Sequence, residues 1–265
     1  IYRKLMKNKL TILTGANGQV GSFIAHKLAN LNKHLLLLYH NSFNRIEDLA
    51  DKENVMLLSC HLENIDDVNI AINCAVENLT ASPAYLIHTA AIRSYDAMPL
   101  AQTSPEIFKE VLSSNLEMAY NVLRTCLPFM LQDRFGRIVM FGSNVVQTGL
   151  YRGSAYAAAK AAIVNLVQSI ALETASANVL INAISPAPIE TILEEEYTGD
   201  YLAFRKRYFE EFRQMSPTGK LVSKEEIWLF CETLLSDKLE NLTGKNIIID
   251  GGFSAIQQIK ENMIQ

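Results

Sequence analysis

Residues 9–31, KLTILTGANGQVGSFIAHKLANL, decide the fold. The apolar run Leu10 to Leu13 reads as a short strand, Gly15, Gly18 and Gly21 punctuate a turn, and Ile24, Leu28 and Leu31 recur at helical spacing. Glycine lets the backbone bend sharply and lets a phosphate group approach the amides of a helix N-terminus, where the dipole favours negative charge. A glycine triplet alone says little. Strand, turn and helix in succession are the context that a dinucleotide-binding turn requires.

Working outward, residues 136–160, GRIVMFGSNVVQTGLYRGSAYAAAK, read as a buried strand ending at Ser143, a glycine-containing loop and an alanine-rich helix. Tyr156 and Lys160 are i and i+4 on that helix, so a phenol and an ammonium group address one pocket. Ser143 falls at a strand's carboxyl end, where open parallel sheets place their ligands. Further strands read near 35–39, 55–59, 85–88, 179–184 and 246–250, with helical patterns between them. This alternation predicts an α/β fold, a Rossmann-type three-layer αβα sandwich with a doubly wound parallel sheet. The 265 residues, 49% hydrophobic, suit one domain spanning 1–265. The stretch 187–222, rich in aromatics and in both signs of charge, is the least regular.

The formal charge of −4 gives no footprint for nucleic acid, and no apolar run is expected to reach membrane-spanning length. Cys60, Cys74, Cys126 and Cys231 lack metal-ligand or disulfide spacing, so buried thiols in a reducing cytoplasm are expected, with no metal. IYRKLMKNK, at the start, lacks the apolar core of a signal peptide and does not begin with Met, as a trimmed chain would not.

With these pieces in order, the chain resembles the single-domain branch of the short-chain dehydrogenase/reductase family, similar to its 3-oxoacyl-carrier-protein reductase-like ketoreductases. SSNLEMAYNVLRTCLPFM carries Asn115 at that family's structural and catalytic Asn. INAISPAPIET looks like the segment beside the nicotinamide, with Pro186, Ile189 and Thr191, and LTGKNIIIDGGFS resembles the last strand and its turn. The resemblance implies that Gly15, Asn17, Gly18, Gln19, Val20 and Gly21 hold the cofactor's phosphates. It implies that Leu62, Thr89, Ala90 and Ala91 flank its adenosine half and that Lys160 binds the nicotinamide ribose. It implies that Asn115 holds a water in a proton relay, and that 187–222 is a substrate lid.

Departures from the family pattern are equally visible. Gln19 stands where Gly or Ala is usual, HTAA at 88–91 replaces Asn-Asn-Ala-Gly, His61 replaces an Asp, and Ala187 replaces the Gly after Pro186. TGANGQVG and HTAA look more like the sugar-nucleotide-modifying branch.

The residues themselves suggest the chemistry. A phenol ordinarily titrates near pH ~10. A cation about 4 Å away at an effective dielectric near 20 favours the phenolate by roughly 4 kcal/mol. Tyr156 is therefore the expected proton donor for ketone reduction and acceptor for the reverse, and Ser143 the donor to the carbonyl oxygen as charge develops there. The second strand ends without an acid, at Tyr39, His40, Asn41 and Ser42, which favours NADP over NAD, with NAD still open and Arg45 a second phosphate candidate. Gln147, Leu150 and Tyr151 are expected to form one wall of the substrate pocket, and Tyr197 and Tyr201 the cover. The same aromatics would equally pack the lid onto the body, and the nearby Arg205, Lys206, Arg207 and Arg213, with Glu194, Glu195, Glu196, Glu210 and Glu211 close by, read most simply as a solvated face or, failing that, as contacts to an acidic carrier protein or a substrate phosphate. The expected partner is a small carbonyl or alcohol substrate, free or carrier-bound, in a homo-oligomer, tetramer or dimer, joined through the helices of Asn115 and Tyr156 with Leu166 and Ile170 as anchors. Two alternatives stand beside this reading, a nucleotide-sugar-modifying enzyme and a non-catalytic dinucleotide-binding regulator.

Overall fold

The computed structural model describes residues 8–255 apart from 32 and 94; the opening segment 1–7, and with it the reading of the N-terminus, lies outside the described residues. Seven parallel strands form one sheet: β1 (Asn8–Thr14), β2 (His34–Tyr39), β3 (Val55–Ser59), β4 (Ala81–His88), β5 (Gly136–Phe141), β6 (Val179–Pro186) and β7 (Asn246–Ile249), in the order β3-β2-β1-β4-β5-β6-β7. The central strands are continuous apolar runs because both faces are covered. Leu36, Ile12 and Ile138 face one layer, with Val68, Ile72, Val122 and Val167. Their neighbours Leu35, Leu37, Leu13 and Val139 face the other, with Ile24, Leu28, Phe212 and Ile227. This period-two division produces the three layers.

The first layer is built from α2 (Ile65–Asn78), α3 (Pro105–Asp133) and α5 (Ser154–Thr174), the second from α1 (Gln19–Ala29), α6 (Gly199–Met215) and α7 (Lys224–Leu234). The order reverses between β1 and its two neighbours, β2 and β4, and the crevice of an open α/β sheet forms at such a reversal, beyond the strands' carboxyl ends. A short helix, α4 (Val145–Thr148), follows β5 there.

All seven expected strands are present, with two differences. β4 begins at Ala81 rather than near 85 and carries Pro83 in its interior. The ladder explains this: Leu10 pairs with Pro83 and Thr11 with Tyr85, so the register shifts beside the proline. The second difference concerns hydropathy. Ser154–Ala177 is long and apolar enough to cross a membrane by composition, although Lys160 and Glu173 hide this from a search for unbroken runs. Ala159, Ile163 and Val167 are buried against the core, as in a core helix.

The 187–222 segment leaves the sheet at its carboxyl edge and returns beside its own start. Ala187 donates its N–H to Ile249 O at 2.9 Å, Glu190 to Val222 O at 2.9 Å and Val222 to Pro188 O at 3.0 Å. Cys60, Cys126 and Cys231 are buried free thiols, and burial pushes Cys60 and Cys126 up to about 12.

Candidate active site

A cleft of about 770 Å³ opens at the carboxyl end of the sheet and runs from the glycine turn to α6. Its floor begins where β1 passes into α1. Gly15 adopts φ 66°, a left-handed conformation, and a side chain there would lie 2.8 Å from Ala90 N. At Gly21 an added Cβ would stand 2.1 Å from Gly15 O, so turn and helix are pressed together. The N-cap Gly18 makes no side-chain cap, and the first turn of α1 carries no acid. Free amides and an unopposed helix dipole at the end of a long cleft fit the pyrophosphate of a dinucleotide.

Apart from Arg45, the residues expected to touch a cofactor line this cleft, from Gly15 and Asn17 to Gly21 and His40–Ser42, through Leu62 and Thr89–Ala91, to Pro186, Ile189 and Thr191. Asn17 braces the turn against the loop after β2, donating to Ser42 Oγ at 2.9 Å and to Asn44 Oδ1 at 3.0 Å while accepting from Arg45 N at 2.8 Å. The Arg45 guanidinium donates to Asn17 O at 2.9 Å and pairs with Glu195 at 2.6 Å, so it is committed, and Arg45 is not among the lining residues. His40 Nε2 meets His61 Nδ1 at 3.1 Å, which gives His61 a structural partner.

At the other end, Ser143, Tyr156 and Lys160 share the cleft with Leu150, Tyr151, Tyr197 and Tyr201. Ser143 Oγ accepts a long 3.5 Å bond from Val145 N, and its proton meets no protein acceptor among the described residues. The Tyr156 hydroxyl likewise has no hydrogen-bond partner there, while its ring lies 5.7 Å from Lys160 Nζ. Lys160 is buried and donates to Phe141 O at 2.7 Å. Burial, with the charge of Arg93 added, pushes its pKa down to about 7. Two hydroxyls with free protons beside a buried amine can donate to one carbonyl oxygen and shuttle a proton.

Two expected residues are elsewhere. Gln147 is exposed on α4 and outside the cleft lining, because that short helix turns its third residue to solvent. Asn115 is buried outside the lining too. Its amide donates to Ile92 O at 2.7 Å and Val111 O at 2.6 Å and accepts from Ile92 N at 3.2 Å, so the side chain clamps the turn after β4. Both amide hydrogens and one lone pair of its oxygen are thus engaged by backbone groups.

The departures from the family pattern also find partners. Gln19 Oε1 accepts from Ile192 N at 2.7 Å and its Nε2 donates to Ile192 O at 2.7 Å and Glu196 at 3.2 Å, tying α1 to the 187–222 segment. His88 is buried with Nδ1 at 2.9 Å from Thr14 Oγ1, and burial, with Lys160 nearby, pushes its pKa down to about 3.

The cleft also holds Arg93, which no motif in the sequence marks, and Glu196 and Arg205, which in sequence read as parts of a solvated charged face. For Arg93 a signal existed: a charged residue just beyond a strand's carboxyl end is a candidate in any open α/β sheet. For Arg205 the sequence offers only its place in a basic cluster, and the fold is what turns it inward.

Comparisons with known proteins agree with this geometry. Residues 15–254 match the family model described as Enoyl-(Acyl carrier protein) reductase. The chain is 26% identical over 251 residues to a 3-oxoacyl-[acyl-carrier-protein] reductase of Rickettsia felis, covering 93% of this chain and 97% of that one. It is 28% identical over 256 residues to the protein of the same name from Aquifex aeolicus, with 93% and 98% covered. Among solved structures, levodione reductase superposes with a TM-score of 0.84 at 25% identity, covering 94% of this chain and 98% of that one. A parallel sheet in this order, a glycine turn into α1, and Ser143, Tyr156 and Lys160 in one cleft, with a family match spanning nearly the whole chain, place the protein among the short-chain dehydrogenase/reductases, a family of oxidoreductases.

Proposed function

We propose that the protein reduces a ketone to a secondary alcohol, or runs the reverse, with a nicotinamide dinucleotide and with Tyr156 as the proton donor. The observation that carries this reading is the pair of uncommitted hydroxyls, Ser143 and Tyr156, beside buried Lys160 at the far end of the cleft from the glycine turn. When bound, the nicotinamide supplies the hydride. The chain's own residues do the rest. Ser143 donates to the carbonyl oxygen as negative charge develops on it. Tyr156 Oη gives its proton to the same oxygen, and Lys160 beside the ring favours the phenolate left behind. Gly15, Gly18 and Gly21 with the α1 amides hold the pyrophosphate, Lys160 the nicotinamide ribose, and Pro186, Ile189 and Thr191 the nicotinamide side.

NADP is the proposed cofactor over NAD. The residues lining the cleft after β2 are Tyr39, His40, Asn41 and Ser42, with no carboxylate to repel a 2′-phosphate. Three of the four thiols are buried, which suits a reducing cytoplasm. The 187–222 segment is proposed as the lid of this one-domain enzyme, and a homo-oligomer as its assembly; Ile170 is buried in the monomer core and Leu166 packs against it, so exposed Tyr120 on α3 and Leu172 on α5 take their place as apolar surface for the contact. Carrier-bound 3-oxoacyl groups, for which the two bacterial relatives are named, are a natural first substrate to try.

The test is titration of NADPH and NADH, followed by absorbance-monitored turnover on a panel of ketones that includes a 3-oxoacyl thioester mimic. Tyr156→Phe is expected to lower kcat by roughly a thousandfold while NADPH still binds. Binding of neither nucleotide, or undiminished turnover in Tyr156→Phe, would overturn the reading.

A further inference from the structure

Around Tyr156 the cleft is cationic, although the chain as a whole carries a net charge of −4. Arg93, Lys160 and Arg205 line it there against one carboxylate, Glu196. Arg205 lies over the rings of Tyr197, Tyr208 and Phe209, at 5.6, 5.3 and 5.0 Å from their centroids, and its Nε is buried without a hydrogen-bond partner. Aromatic walls brace this charge without neutralising it.

Arg93 is fixed more firmly still. It follows Ile92, whose N–H and C=O are both held by the buried Asn115 amide, and its guanidinium donates to Tyr197 Oη. Its ion pair with Glu196 is loose, at 3.6 Å, and Glu196 has a second partner in Gln19 Nε2 at 3.2 Å. Burial works against the Arg93 charge, but Tyr197, Tyr156 and Glu196 around it more than restore that charge, and its pKa stands above the ordinary guanidinium value. A preset, charged guanidinium facing a carboxylate that has somewhere else to go is built to exchange that carboxylate for another.

We infer that the substrate is a ketone bearing a carboxylate, which Arg93 binds in place of Glu196 while Glu196 stays with Gln19. The inference rests on the reductase reading and narrows its substrate. A guanidinium fork matches one carboxylate in two parallel bonds. An ester or thioester brings no charge to pair with Arg93 and Arg205. Arg205 adds a second positive field, so the pair discriminates between an oxo acid and its neutral ester.

The experiment compares NADPH oxidation on a series of oxo acids of increasing ketone-to-carboxylate spacing, each beside its methyl ester, with a 3-oxoacyl thioester mimic in the same panel. One spacing is expected to favour the acid over its ester in kcat/KM by at least roughly tenfold. In Arg93→Gln that acid-to-ester ratio is expected to fall by roughly ten- to a hundredfold, mainly through KM, and Arg93→Lys should recover part of it. Ester or thioester preferred over acid at every spacing, or a ratio that Arg93→Gln leaves unmoved, would overturn the inference. If no ketone of any kind consumes NADPH, the reductase reading falls, and calorimetry with the corresponding hydroxy acids decides the anion site. Binding to wild type that Arg93→Gln loses would uphold the site, and no binding to wild type would overturn it.

Discussion

The floor and the roof of the cleft are held by different forces. The floor is backbone: strand ends in register, and a glycine turn so tight that a single added Cβ would stand 2.1 Å from a carbonyl oxygen. The roof, residues 187–222, is anchored in the core by Leu193, Phe209 and Phe212 and closed at its base by backbone bonds, but its rim over the cleft meets the floor through polar side chains, with Gln19 on Ile192 and Glu196, Arg45 on Glu195, and Arg93 on Glu196 and Tyr197. Side-chain pairs of this kind, several of them half exposed, contribute little each and open readily. A rigid floor to position the reacting groups and an adaptable roof to admit and select substrate is the division of labour this geometry supports.

Three perturbations, in falling order of effect, would break or sharpen that contrast. Gly21→Ala strikes the floor, where the new methyl group meets Gly15 O with no flexible atom to yield. A stability loss of about 3 kcal/mol is expected. NADPH affinity should fall by roughly a hundredfold. Chemical denaturation and fluorescence titration measure the two, and a variant that melts and binds like wild type would mean that the turn is as adaptable as the roof.

The second concerns His88 at the end of β4. Its folded pKa of about 3 lies below the ordinary 6.5, so below 6.5 the unfolded chain takes up a proton that the native state refuses. Stability is therefore lost as pH falls from 6.5 towards 3. At about pH 4.5 the expected loss from this residue is of the order of 2 kcal/mol. His88→Asn should flatten the pH dependence of stability in that window, and an unchanged slope would show that the floor at this point is open to solvent.

The smallest effect is expected from Gln19→Ala, which frees the roof without touching the strands. Global stability should change by about 1 kcal/mol. Hydrogen exchange over residues 190–197 should accelerate by roughly tenfold, with KM rising a few-fold. Exchange as slow as in wild type would show that the roof's own base, at Ala187 and Val222, holds it unaided.

The same contrast explains what was legible in the sequence. Strands buried on both faces are written as unbroken apolar runs such as 35–38, and the glycine turn is written within seven residues, so each can be read locally. β4 starts ahead of its apolar run, at Ala81, Ser82 and Pro83, and only its ladder with β1 reveals the register shift that accommodates them. Ser143, Tyr156 and Lys160 were legible because strand end and helix period place them. Gln147 was misplaced because a four-residue helix has no period from which to read its inward face. Gln19 looked like a defect in the turn because its partner, Ile192, is 173 residues away. Arg205 looked solvated because its ring cage forms only when α6 folds back over the strand ends.

The bond from Ala187 to Ile249 has a consequence for a chain made from one end. The residues proposed to handle the carbonyl have all been synthesised by Lys160, but the first residue of the roof is tethered only when the last strand arrives. A ribosome-bound chain therefore carries its reactive groups for some ninety residues of synthesis before the enclosure around them can close, and sheet completion and enzyme maturation become a single late event.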